Sequence, residues 1–150
     1  MIKIQHILFP IDFSKHAIKA FDYAIAFTLA LNAHTLYLLF VNDVASQGTF
    51  LGEKGDLAWR EAEKQIEKKA QWQLENFVPL IPIEKQSSLN IEKIVKRGLT
   101  HREILKTAKD FDIDLIIMAT QGERSESPLG SVTEKVARNA PCPVLTIRNP

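Results

Sequence analysis

The chain has 150 residues, a formal net charge of +1 and a single cysteine, Cys142. That length suits one domain, 1–150, able to bury roughly 68–70% of its unfolded surface without staples. The near-neutral charge gives no bulk case for nucleic acid or an anionic membrane, one cysteine forbids an intrachain disulfide, and no run reaches the ~18 consecutive apolar residues of a membrane span.

Met1 to Pro10 lacks the basic region and cleavage site of a secretory signal, so a cytoplasmic protein is the simplest expectation. Ile4 to Ile11 carries Ile7, Leu8, Phe9 and Ile11 and reads as a first strand. Asp12-Phe13-Ser14 opens a helix that Asp12 or Ser14 can cap. Its expected buried stripe is Ile18, Phe21, Ile25 and Leu29, and Asn32 marks its end. Thr35 to Val41 is the second strand. Asn42 to Gly55 holds Gly48, Gly52 and Gly55 and is expected to be a mobile loop, a lid in form. Asp56 to Phe77 is a long helix with the stripe Trp59, Ala62, Ile66, Ala70, Leu74 and Phe77. Trp72 falls off that stripe. Glu61, Glu63, Lys64, Glu67, Lys68 and Lys69 read as a solvated face with local ion pairs.

Pro79 and Pro82 break the chain. Asn90 to Arg97 is the third strand, and Glu92, Lys93 and Lys96 among its apolar residues suit an edge. Gly98 turns the chain. Thr100 and Glu103 have capping-box spacing, and Ile104, Leu105 and Ala108 face inward. Ile113 to Met118 is the fourth strand, and Gln121 to Pro128 an exposed polar loop. Ser131 and Glu134 repeat the capping-box spacing ahead of Val132, Val136 and Ala140 on one helical face. Pro143 to Ile147 is the fifth strand, with Pro143 at its start. Strands alternating with helices predict a parallel sheet covered on both faces. A strand feeding a loop that ends at a helix N-terminus suits an anion, through backbone amides and the helix dipole. The same residues also fit a capped helix that holds nothing.

The stretch from Leu115 to Lys135, with Pro141-Cys142-Pro143 after it, resembles the signature of the universal stress protein family. That pattern is Gly-x2-Gly, a nine-residue spacer, Gly-Ser or Gly-Thr, a helix, and a Pro-Cys-Pro-Val-Leu strand. Here Ala119 stands at the first glycine, Gly122 at the second and Gly130-Ser131 at the end, and the spacer is two residues shorter. The resemblance runs from Ile4 to Ile147. It implies an α/β, three-layer fold: an open parallel five-stranded sheet of order 3-2-1-4-5 with helices on both faces, Rossmann-like and of the adenine nucleotide alpha-hydrolase-like type. In that order the winding reverses between strands one and four, and ligands bind outside the carboxyl ends of strands at such a switch point.

By resemblance to the ATP-binding branch, the nucleotide positions are Pro10, Ile11, Asp12, Val41, Met118, Ala119, Gly122, Gly130, Ser131, Val132 and Thr133. The implied ligand is ATP or AMP, with or without Mg. Asp12 is an acceptor suited to ribose hydroxyls, and a carboxylate there can also cap a helix. Val41 offers backbone groups to an adenine edge, or is plain core. Gly122 and Gly130 admit close backbone approach to phosphates, Ser131 and Thr133 add hydroxyls, and Arg124 adds a charge. Ala119 is harmless at a negative φ and costly at a positive one.

Other chemistries lack their residues. There is no Gly-x4-Gly-Lys-Ser/Thr loop, no serine elbow and no Cys-x-x-Cys. His6, His16, His34 and His101 lack metal-ligand spacing, and no general base stands beside the phosphate positions, so a dedicated enzyme is not expected, a slow ATPase aside. Cys142 between two prolines reads as a packing residue. A receiver domain needs an acidic pair after strand one, where Asp12 stands alone. Two readings stay open: a stress-response module that binds ATP or AMP, favoured by Gly130-Ser131, and a homodimeric interaction module of the same fold without nucleotide, favoured by Ala119 and the short spacer. Pro143 to Ile147 is an apolar edge guarded only by Arg148, which suits a homodimer through strand five, as the resemblance also implies.

Overall fold

The continuous apolar runs become strands buried on both faces, and the 3.6-period segments become helices packed on them. The computed structural model describes residues 1–43, 57–77, 81–121 and 128–148. In chain order the strands are β1 (His6–Pro10), β2 (Thr35–Asn42), β3 (Asn90–Arg97), β4 (Leu115–Ala119) and β5 (Val144–Ile147). The helices are α1 (Lys15–Ala30), α2 (Leu57–Phe77), α3 (Ile83–Gln86), α4 (Thr100–Asp110) and α5 (Ser131–Asn139). All pairings are parallel and the order is β3-β2-β1-β4-β5, the Rossmann-like arrangement expected. The short α3, entered from Pro82, was not anticipated. The glycines expected in a lid and the helix start at Asp56 lie outside the described residues.

Alternation along the central strands feeds two cores. Ile7, Phe9, Leu36, Leu38 and Ile117 face α1 and α2, while Leu8, Leu39, Ile116 and Met118 face α4 and α5. β1 begins at His6, later than expected, because the Asp114 carboxylate accepts from the amides of Gln5 at 2.8 Å and His6 at 2.9 Å.

The buried face of α1 is Ala17, Ala20, Phe21, Ala24, Ile25 and Thr28. Ile18, expected in it, is exposed, and Leu29 is only partly covered. Three alanines let the helix approach the sheet closely, which rotates the contact stripe away from the bulkier Ile18. Thr28 is tolerated there because its hydroxyl donates to the Ala24 carbonyl at 2.6 Å. Ser14 is the N-cap, accepting from the Ala17 amide at 3.2 Å, and Asn32 in the left-handed region follows the helix end, both as expected.

On α2, Trp59, Ala70, Leu74 and Phe77 are buried as expected, but Ala62 is exposed and Glu63 is buried in its stead. The cause is Arg97 at the end of β3. Its Nη1 meets Glu63 at 3.0 Å, and Glu67 accepts from its Nε at 2.8 Å and its Nη2 at 2.6 Å. Glu63 and Glu67 are therefore not a solvated face; they clamp helix to sheet edge, and the hydrogen bond that Arg97 donates to Glu67 raises the Arg97 pKa.

Neither capping box forms. The N-caps are Leu99 for α4 and Gly130 for α5, and neither helix has a side-chain cap. The Thr100 hydroxyl instead donates to Asp43 at 3.0 Å, tying the start of α4 to the end of β2.

Gly98 turns the chain with φ of +147°, and a Cβ there would stand 2.8 Å from Oε1 of Glu103. Gly98→Ala is expected to cost about 1–3 kcal/mol, read as a lower thermal midpoint. An unchanged midpoint would show that the turn accepts a side chain.

Candidate functional site

β1 pairs with β2 as far as Pro10–Leu39, and the Ile11 amide still reaches the Leu39 carbonyl at 2.9 Å. Its register with β4 covers only Ile7–Leu115 and Leu8–Ile116. The carboxyl ends of β1 and β4 thus part company where the winding reverses, the switch point at which open α/β sheets hold their ligands.

One wall is the end of β1. Pro10 is half-buried and Ile11 buried, and Asp12 is exposed. Oδ1 of Asp12 accepts from the Ser14 amide at 3.0 Å, which fixes the carboxylate in a local turn on an exposed residue. Val41, at the end of β2, packs its side chain into the core on the α4 side.

The other wall is the end of β4 and the start of α5. Met118 is buried. Ala119 ends β4 in extended backbone and is not among the residues with positive φ, so alanine costs nothing where the family pattern has glycine. Gly122 and Arg124 lie outside the described residues. The Thr120 amide donates to Ile147 at 3.0 Å, and the Gly130 amide donates to the Thr120 carbonyl at 2.7 Å. Gly130 has φ −64° and ψ 154°, a backbone open to any residue, and its amide is committed to Thr120.

The first intrahelical bond of α5 runs from the Glu134 amide to the Gly130 carbonyl at 2.9 Å. The amides of Ser131, Val132 and Thr133 are therefore first-turn donors, which a helix leaves without partners of its own. Ser131 is exposed and Val132 half-buried. Thr133 is buried, and its hydroxyl donates to the Ala119 carbonyl at 3.0 Å, so it fastens α5 to β4 where an open hydroxyl had been expected. The walls differ in polarity: an exposed carboxylate stands on one, and uncapped amides at the positive end of a helix dipole stand on the other. The first suits hydroxyl donors and the second an anion.

Among the described residues no cluster of three His, Cys, Asp or Glu side chains could hold a metal, and no helix is long and apolar enough to cross a membrane. Burial pushes the Cys142 thiol up, which keeps it protonated and poorly nucleophilic. A separate open groove of about 630 Å³ lies between α2 and β3, lined by Lys64, Lys68, Lys96 and Arg97 with Glu67.

Sequence reading missed Asn42, which it placed in a loop. It is the last residue of β2, 1% exposed, and among the described residues neither polar atom of its side chain has a hydrogen-bond partner. Its register partner is Arg97, and Phe40 two residues earlier packs on the α1 and α2 side, so the carboxamide lies on that face.

Residues 3–148 match the profile of the universal stress protein family. The chain is 32% identical over 157 aligned positions to universal stress protein MJ0577 of Methanocaldococcus jannaschii, covering 98% of this chain and 96% of that protein. The solved structure of MJ0577 superposes with a TM-score of 0.76 at 30% identity over 99% of both chains. UspA from Lactobacillus plantarum superposes with a TM-score of 0.77 at 28% identity, over 99% of this chain and 100% of that one. A family protein from Arabidopsis thaliana solved with AMP bound gives 0.62 at 18% identity, over 97% and 92%, a likeness of fold.

An amide buried without partners costs about 1–3 kcal/mol, whereas an apolar side chain of similar size carries no such penalty. Asn42→Leu is expected to raise the stability of the protein by about 1 kcal/mol in chemical denaturation. A loss of stability would mean that the carboxamide is satisfied in solution.

Proposed function

Since this chain belongs to the universal stress protein family, we propose that it is a cytoplasmic stress-response module, one domain across 1–150, that binds ATP or AMP at the β1/β4 switch point. The observation that carries the reading is the start of α5, where among the described residues no side chain caps the first-turn amides of Ser131, Val132 and Thr133. A phosphate is the anion suited to such a donor set. Asp12 then takes ribose hydroxyls, Pro10, Ile11, Val41 and Met118 frame the base, and Ala119, Gly122 and Gly130 bring backbone near the phosphates. The extended backbone at Ala119, where alanine fits without strain, supports the reading. Two proteins of this fold were solved with AMP and with cAMP, which agrees with the nucleotide class. The reading is one of binding without turnover, because among the described residues no carboxylate or histidine cluster could hold a metal and the Thr133 hydroxyl is tied to Ala119.

Calorimetric titration with ATP is expected to show saturable binding in the micromolar range, about −8 kcal/mol at 1 μM. Gly130→Ala suits the backbone there, so the fold is retained, but the added methyl should weaken binding at least about tenfold, ~1.4 kcal/mol. No heat at millimolar ATP, with or without Mg²⁺, would overturn the reading.

We further propose that the module is a homodimer through strand five, Pro143 to Ile147. β5 is the last strand of the sheet, and Val144, Leu145, Thr146 and Ile147 are all half-buried and uncharged. Antiparallel pairing with a second copy would use its free edge and close a two-fold. Thr146→Lys should shift the mass seen by light scattering from dimer toward monomer. A wild-type protein that is monomeric at high micromolar concentration would defeat this arrangement.

A further inference from the structure

Among the described residues three non-glycines have positive φ: Phe13 at 60°, Asn32 at 51° and Asp112 at 49°. Asn32 and Asp112 stand just past the ends of α1 and α4, where short polar side chains adopt the left-handed region readily. Phe13 shares neither excuse. It precedes a helix, and an aromatic side chain in that region is an outlier of the kind that persists only when its surroundings over-determine it.

Those surroundings are visible. The Phe13 ring stacks on Phe40 at 5.5 Å and 28°, and lies 5.6 Å from Phe77. Phe77 meets Phe21 edge-on at 5.2 Å, and Phe21 meets Phe9 at 5.8 Å. An aromatic row from β2 through the turn to α2, α1 and β1 thus grips one ring. Phe13 is also the middle residue of the turn in which Asp12 accepts from the Ser14 amide at 3.0 Å, while Ser14 caps α1. The backbone angle at residue 13 therefore sets the direction of the Asp12 carboxylate relative to the helix. Relaxation to an ordinary negative φ would rotate the peptide between 12 and 13 and part that bond.

We infer that Phe13 is a positioning residue: its gripped ring holds a left-handed turn that aims Asp12 at the β1/β4 switch point. The inference rests on the nucleotide reading above. It says that the left-handed angle at residue 13, which an aromatic residue can keep only because its ring is gripped, governs how the switch point distinguishes a ligand with ribose hydroxyls from one without. A Phe13 that merely fills the core would affect stability and leave that distinction alone.

The test compares ATP with 2′,3′-dideoxy-ATP by calorimetry, with thermal midpoints measured beside it. The wild-type protein should prefer ATP by at least about tenfold, since a hydroxyl bonded to a carboxylate is a strong contact. Phe13→Ala, which loses the ring and disfavours the backbone angle, should bring the two affinities within about twofold of each other. Phe13→Gly also loses the ring but admits the angle freely, and should keep most of the preference. Phe21→Ala thins the same aromatic row away from Asp12; it should lower the midpoint and keep the preference. A preference retained in Phe13→Ala, lost in Phe13→Gly or lost in Phe21→Ala would overturn the inference. So would a wild-type protein that binds both nucleotides equally; one that binds neither removes the nucleotide reading itself.

Discussion

β1 and β4 are covered on both faces, and the need to cover them arranges the rest. Ile7, Leu8, Phe9, Ile116 and Ile117 are fully buried although successive side chains point to opposite sides. Two helices must therefore lie on each face, and parallel strands can be joined only by crossovers that carry those helices. Right-handed crossovers leaving β1 in one direction and β4 in the other force the winding to reverse between them. The switch point at that reversal is thus a by-product of burying two adjacent strands on both sides.

Much of this was legible in the sequence, for reasons that are local. Apolar runs such as Leu115 to Met118, punctuated by Gly98 and Pro143, report strands and turns through interactions within a few residues. The misreadings concern residues whose environment is set from far away. Glu63 looked like a surface charge because its partner, Arg97, sits on another element. Ile18 looked like core because periodicity does not reveal that Ala17, Ala20 and Ala24 allow a closer approach. The two capping boxes had the right spacing, yet each helix starts one residue earlier, where neither Leu99 nor Gly130 carries a hydroxyl or carboxylate to cap with.

Where the candidate residues stand was legible in outline, and their bonding was not. Asp12, Ala119 and Gly130 stand at the strand and helix ends where the motif puts them. Which donors remain open depends on contacts between segments: Gly130 gives its amide to Thr120, and Thr133 gives its hydroxyl to Ala119. Only folding shows that the donors left at the start of α5 are backbone amides. The angle at Phe13 belongs to the same class, since a sequence lists aromatic residues without saying which of them hold one another.

The short spacer between Gly122 and Gly130 takes on a different meaning beside the hydrogen bonds at its neck. Thr120 is fixed to Ile147 on one side and to Gly130 on the other, so both feet of the excursion are anchored by the sheet itself. Removing two residues from a segment pinned in this way changes its closure entropy by no more than about a few tenths of a kcal/mol. The neck therefore insulates the sheet from the length of what it carries. Insertions and deletions between those feet can be accepted while the register of β4 and β5 stays as it is, which makes this a place where such a chain can change in length without risking its fold.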